Sequence, residues 1–249
     1  MNTKTALITG ASSGIGKALA LEMARRGYNL ALTARRTDKL EQLQAQIADI
    51  NPLAAVEIAS MDVQKTYTIA GIFQDLIKRL QHIDVVVVNA GSNMMTGVGK
   101  GQLKEQLDML QTNVMGAVAT VDAAAEYFRH CKKGHIVGIS SLASLTAIPK
   151  QASYCASKSA FSMYLESAAL ELSRHNIAVT RILPGFVKTE IVENMEQYPF
   201  LVTAEQAASE IADNIEKKKA ESVVPGYPWA VVKPFMRSIP AALWRYVKV

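Results

Sequence analysis

Six short apolar runs, at residues 5–9, 29–34, 54–60, 83–88, 135–140 and 177–183, recur between stretches whose apolar residues fall at helical spacing. Ile15, Leu19 and Met23 mark the first such helix, Leu40, Leu43 and Ile47 the second, and Ile69, Ile72, Phe73 and Leu76 the third. Leu103, Leu107, Leu110, Val114, Val118, Val121 and Ala125 predict one long helix, and a further helix surrounds Tyr154. The run at 83–88 is almost continuously apolar, as a strand covered on both faces must be. Strands alternating with helices imply an α/β fold: a doubly wound parallel sheet in three α-β-α layers with right-handed crossovers. No linker or repeat interrupts the pattern, so residues 1–226 read as one domain and 227–249 as a tail.

Ligands of such sheets bind beyond the C-terminal ends of the strands, and the unusual residues gather there. Thr9-Gly10-Ala11-Ser12-Ser13-Gly14-Ile15-Gly16 follows the first strand. Glycines let a backbone approach a ligand, and the helix N-terminus that follows favours a pyrophosphate. A tight connection alone would look similar; the strand before and the helix after favour phosphate binding. After the second strand come Arg35 and Arg36, with no acid until Asp38. Two cations without a carboxylate suit a ribose 2′-phosphate, hence NADP (NADPH) rather than NAD. Asp62 and Val63 follow the third strand, where the aspartate could also cap a helix. Asn89, Ala90 and Gly91 follow the fourth. Asn113 interrupts a strongly periodic helix, where asparagine is mildly unfavourable.

Tyr154 and Lys158 stand one turn apart on a helix whose apolar stripe continues through Phe161, Leu165, Ala168 and Leu172. A lysine ammonium roughly 5 Å away favours a phenolate by about 3 kcal/mol at an effective dielectric near 20. That would bring the phenol from a pKa of about 10 toward neutrality, where it can exchange protons. Ser141, at the end of an apolar strand, could donate to a substrate oxygen. Taken alone, the pair is equally an ordinary polar feature of an amphipathic helix.

The net charge of +5 is concentrated at the C-terminal end. Lys233, Arg237, Arg245 and Lys248 lie beyond residue 226 among Trp229, Phe235, Trp244 and Tyr246, with no acid. Without these four cations the balance is 5 − 4 = +1, which gives no case for nucleic acid. Two cysteines and four histidines form neither a disulfide framework nor a metal-site spacing. No apolar stretch is long enough for a signal core or a membrane span, so a cytoplasmic protein is expected.

In order and spacing these pieces resemble the short-chain dehydrogenase/reductase family in its compact form. The likeness rests on TGASSGIG at 9–16, Asp62, NAG at 89–91, Asn113, Ser141, YCASK at 154–158 and PGFVKT at 184–189. It implies a Rossmann-type fold and hydride transfer between NADP(H) and a carbonyl or secondary alcohol. Gly10, Ser12, Ser13, Gly14, Ile15 and Gly16 would cradle the pyrophosphate, and Arg35 with Arg36 the 2′-phosphate. Asp62 and Val63 would contact adenine, and Asn89, Ala90 and Gly91 its ribose side. Tyr154 would be the acid, assisted by Lys158; Ser141 would orient the substrate oxygen and Asn113 a relay water. Pro184, Gly185, Val187 and Thr189 would line the nicotinamide. Two departures stand out: Ser13 replaces the basic residue of many NADPH-dependent relatives, and Val88 precedes Asn89 where a second asparagine is usual.

Met94, Met95, Ile191, Val192, Met195, Tyr198, Phe200 and Leu201 suggest a lipophilic small-molecule substrate, or simply pack on the sheet. The tail suits packing on the core, a neighbouring subunit, or peripheral contact with a membrane interface. Relatives often form homodimers or homotetramers through helices equivalent to 103–129 and 153–174. The alternatives to an enzyme are a catalytically idle NADP-binding regulator and a membrane-docking protein.

Overall fold

The computed structural model describes residues 3–189 and 198–236. Strands β1 (Thr5–Thr9), β2 (Asn29–Ala34), β3 (Val56–Ser60), β4 (Val85–Val88), β5 (Gly134–Ile139), β6 (Ile177–Pro184) and β9 (Glu221–Val224) form one sheet in the order β3-β2-β1-β4-β5-β6-β9. Every pairing is parallel. A second ribbon pairs β7 (Val187–Lys188) with β8 (Val202–Thr203). The helices are α1 (Gly14–Arg25), α2 (Thr37–Ile50), α3 (Thr66–Leu80), α4 (Leu103–Leu110), α5 (Ala117–Cys131), α6 (Ala152–Leu172), α7 (Ala204–Glu216) and α8 (Gly226–Met236).

The strand period of two sorts side chains between two cores. Ala6, Ile8, Leu30, Leu32, Val85 and Val87 face α1, α2 and α7 through Leu19, Met23, Leu40, Leu43, Ile211 and Ile215. Leu7, Val86, Val88 and Ile136 face α3, α5 and α6 through Phe73, Leu76, Val121, Phe128, Phe161 and Leu165. Each large apolar side chain fully buried this way contributes about 1.5–3 kcal/mol. The four-valine β4 serves both layers at once.

The single helix expected over 103–125 is broken. Residues 111–116 form a π-helical turn between α4 and α5. The extra residue rotates α4 relative to α5, so Leu103 and Leu107 are exposed while Val121 is buried. Strand ends also move. The fourth strand starts at Val85, and just before it the Asp84 carboxylate accepts from the Thr5 amide at 2.9 Å.

Candidate active site

Strand order reverses between β1 and β4, and the chain is tied together at that point. The Thr9 hydroxyl accepts from the amides of Asn89 and Ala90, both at 3.0 Å, and donates to the Val87 carbonyl. Asn89 Nδ2 donates to the Thr9 and Gly10 carbonyls at 2.9 and 3.3 Å. The Asn89 side chain therefore holds the glycine turn in place. Gly10 has φ +68°, and a methyl on Gly16 would lie 2.5 Å from both Asn89 Nδ2 and the Gly10 carbonyl oxygen. The turn closes only with glycine there.

Ser13 precedes α1 but does not cap it, and no acid stands in the first helical turn. The first amides of α1, with Gly14, Ile15 and Gly16 among them, receive no cap from the Ser13 side chain, and such amides suit an anion. Arg36 Nη2 donates to the hydroxyls of Ser12 and Ser13 at 3.0 and 2.8 Å. A cation thus stands over the turn; Arg35 is exposed beside it. This donor set fits a phosphorylated nucleotide.

Asp62 does not cap α3, whose N-cap is Lys65. Its carboxylate instead closes a turn on the Gln64 amide at 3.1 Å. Val63 is buried against Gly116 at the end of the π turn, and Gln64 Nε2 donates to the Thr112 hydroxyl at 2.9 Å.

Asn113, 1% exposed, sits inside the π turn. Its Oδ1 accepts from the Ser92 amide at 2.8 Å; its Nδ2 donates to the Ser92 carbonyl at 2.8 Å and to Ser157 Oγ at 3.1 Å. One side chain so joins the loop after β4 to α6. A methyl on Gly91 would lie 3.2 Å from Asn113 Oδ1 and 3.6 Å from Lys158 Nζ, which locates the three together.

Lys158 is buried, donates to the Ile139 carbonyl at 2.9 Å, and stands 5.9 Å from the centre of the Tyr154 ring. Desolvation lowers its pKa from 10.5 to about 8. The Tyr154 phenol is raised above its ordinary value, chiefly by burial, against the lowering effect of a bond to the Ser141 side chain. The phenol near neutrality expected from charge proximity is thus not found. Loss of hydration on burial is the largest cause and exceeds the lowering by the Ser141 bond. Ser141 Oγ also accepts from the Ala143 amide at 3.1 Å.

From Pro184, the last residue of β6, the chain turns through Gly185 into β7, which contains the buried Val187. The Thr189 methyl lies 3.4 Å from the position a Cβ would take on Gly14. The 184–189 segment therefore returns to the glycine turn. Ile191, Val192 and Met195, and the tail from Arg237, lie outside the described residues. Within the described part of the tail, Trp229 and Met236 are buried in a cluster with Leu142, Leu183 and Val223.

Thr9 and Ser157 lie within the TGASSGIG and YCASK motifs but have no role assigned from sequence, and Ser92 and Ser140 are likewise without one. Ser140 Oγ reaches the Lys158 carbonyl and Ser162 Oγ at 3.1 and 2.7 Å, fixing α6 on β5. A run of small hydroxyl residues flanking the YCASK segment was the one available sign.

The model of the family described as "short chain dehydrogenase" matches residues 4–199. An uncharacterized oxidoreductase of Myxococcus xanthus is 35% identical over 237 residues, covering 94% of this chain and 91% of its own. Among solved structures, a short-chain type dehydrogenase/reductase from Mycobacterium marinum superposes with TM-score 0.82 at 29% identity, covering 90% of this chain and 94% of that one. An alcohol dehydrogenase from the archaeon Thermococcus sibiricus, complexed with 5-hydroxy-NADP, gives 0.81 at 26% identity over 90% and 96%. A seven-stranded parallel sheet, a glycine turn at its switch point and this extent of likeness place the chain in the short-chain dehydrogenase family, as an oxidoreductase acting on CH–OH groups with NAD(P).

Proposed function

We propose that this chain interconverts a carbonyl and a secondary alcohol with NADP(H), using Tyr154 as general acid and base. The observation that carries the proposal is the convergence of Ser141, Tyr154, Lys158 and Asn113 at the sheet end that also bears the uncapped N-terminus of α1. The nucleotide, when bound, supplies the hydride. The Ser141 hydroxyl orients the substrate oxygen. Tyr154 gives its proton to that oxygen, and the raised phenol pKa keeps the proton in place until then. With a pKa of about 8, Lys158 is mostly an ammonium at pH 7 and stabilises the phenolate left behind. The Asn113 side chain anchors the Ser92 loop to α6, and Asn113 is assigned to a relay water.

Arg36, already hydrogen-bonded to Ser12 and Ser13, holds the 2′-phosphate with Arg35 beside it; this supports NADP over NAD. Asp62, Val63, Ala90 and Gly91 line the adenosine side. Apolar Phe186, Tyr198 and Phe200 favour a lipophilic substrate. Exposed Leu103, Leu107, Met115, Met163 and Leu170 on α4, the π turn and α6 favour pairing of identical chains.

The test is a ketone and alcohol panel followed by NADPH absorbance, with Tyr154→Phe as control. Loss of the acid should lower kcat by about 10²-fold or more while NADPH affinity stays within about twofold. Turnover surviving in Tyr154→Phe would overturn the assignment of the proton donor.

A further inference from the structure

We infer that Trp229 is a positioning residue: its indole, seated on Gly185, sets the course of the 184–189 segment and through it the nicotinamide end of the site. The inference rests on the assignment of that segment under the proposed function.

Trp229 belongs to α8, beyond residues 4–199 that the family model matches. It is 8% exposed. A methyl on Gly185 would lie 2.5 Å from Trp229 Nε1 and 2.9 Å from Cδ1 and Cε2, so the indole occupies the space a side chain would need. The Gly185 amide also donates to the Val224 carbonyl at 2.8 Å. Both β9 and the ring thus hold the turn.

The indole also meets Phe186 and Phe200 edge to face, each at 5.7 Å between centroids, and Phe186 stacks on Tyr198 at 4.6 Å. Leu142, next to Ser141, shares the same cluster. One ring thus touches the turn after β6 and the approach to β8, and packs with the residue after the candidate serine. From Gly185 the chain runs through Val187 to Thr189, which faces Gly14. Over so few residues, a shift at Gly185 must be felt at the glycine turn.

Simple filling of the core does not explain this tryptophan. Its buried Nε1 has no hydrogen-bond partner among the described residues. A buried indole usually satisfies that donor, and leaving it unmet opposes folding. The ring is kept for its shape against bare backbone.

The test uses the full-length protein and the variants Trp229→Ala, Trp229→Phe, Gly185→Ala and Gly185→Ala/Trp229→Ala, each confirmed folded by circular dichroism. Two probes are titrated: NADPH, and 2′,5′-ADP, which lacks the nicotinamide. Trp229→Ala should weaken NADPH about tenfold and leave 2′,5′-ADP within about twofold, and Trp229→Phe should stay within about threefold for both. Gly185→Ala should weaken NADPH by about tenfold in the wild-type background and by less than about twofold when the indole is gone, because the obstruction is then absent. Equal loss of both probes would mark Trp229 as merely structural and overturn the inference. So would an equal cost of Gly185→Ala in both backgrounds. If neither probe binds the wild-type protein, the proposed function itself falls and the inference with it.

Discussion

Replacing Lys158 with methionine should abolish turnover and make the fold more stable. Lys158 is enclosed by α6, β5 and the loop after β4, and its pKa falls from 10.5 to about 8 because the ammonium loses its water. At about 1.4 kcal/mol per pKa unit, that fall corresponds to about 3 kcal/mol of folding free energy lost when the lysine is protonated. The unfolded chain binds the extra proton between pH 8 and 10.5. The penalty is therefore fully present below pH 8, shrinks as pH rises, and is gone above 10.5. Methionine fills a similar volume without charge. It forfeits the bond to the Ile139 carbonyl, worth about 1 kcal/mol, so the net gain at pH 7 is about 2 kcal/mol. Thermal unfolding followed by circular dichroism, without nucleotide, should show this gain as a rise in Tm of about 4–8 °C. The difference between variant and wild type should disappear or reverse by pH 10.5. A variant less stable at pH 7, or a difference constant with pH, would refute the argument that burial of this charge opposes folding.

Arg36→Ala should lower the preference for NADPH over NADH by about tenfold or more, the loss of one charge-assisted hydrogen bond of about 1.5–3 kcal/mol, read from the ratio of kcat/KM values. Arg35→Asp should shift the same ratio toward NAD, and unchanged relative affinities would remove Arg35 from the phosphate site. His135 is buried at the start of β5, bonded to Thr180 Oγ1 at 2.7 Å, with its pKa lowered to about 4 by desolvation and then by Lys218 and Lys4. The unfolded chain takes up that proton near pH 6.5. Stability should thus fall by about 3 kcal/mol as pH drops from 6.5 to 4. His135→Gln should flatten this part of the urea-midpoint profile; an unchanged slope would place the acid sensitivity elsewhere.

The strands were legible because parallel strands buried on both faces are written as unbroken apolar runs, β4 above all. The glycine turn was legible because its function depends on residue type at fixed spacing. The π turn was not. One added residue leaves the local apolar spacing nearly intact, and only the exposure of Leu103 and Leu107 reveals the slip. Thr9, Ser92 and Ser157 act through partners up to 81 positions away, which no local pattern records. Helical spacing reports the charge beside Tyr154 and says nothing of the hydration its phenol loses on burial. For Trp229 the basic, aromatic tail suits core packing, a neighbouring subunit and a membrane interface alike; its seat exists only because Gly185, far upstream, lacks a side chain.

The wide turn at 111–116 has a further consequence. It holds one residue more than a regular helix would take up over the same rise, so excision of exposed Met115 would let α4 and α5 fuse into an unbroken ladder of i→i+4 bonds. The repaired helix would swing Asn113 by about 100° around the axis, away from Ser92 and Ser157. Chain length at this spot, rather than the identity of any neighbour, dictates where the amide points, and a better helix would be a worse enzyme.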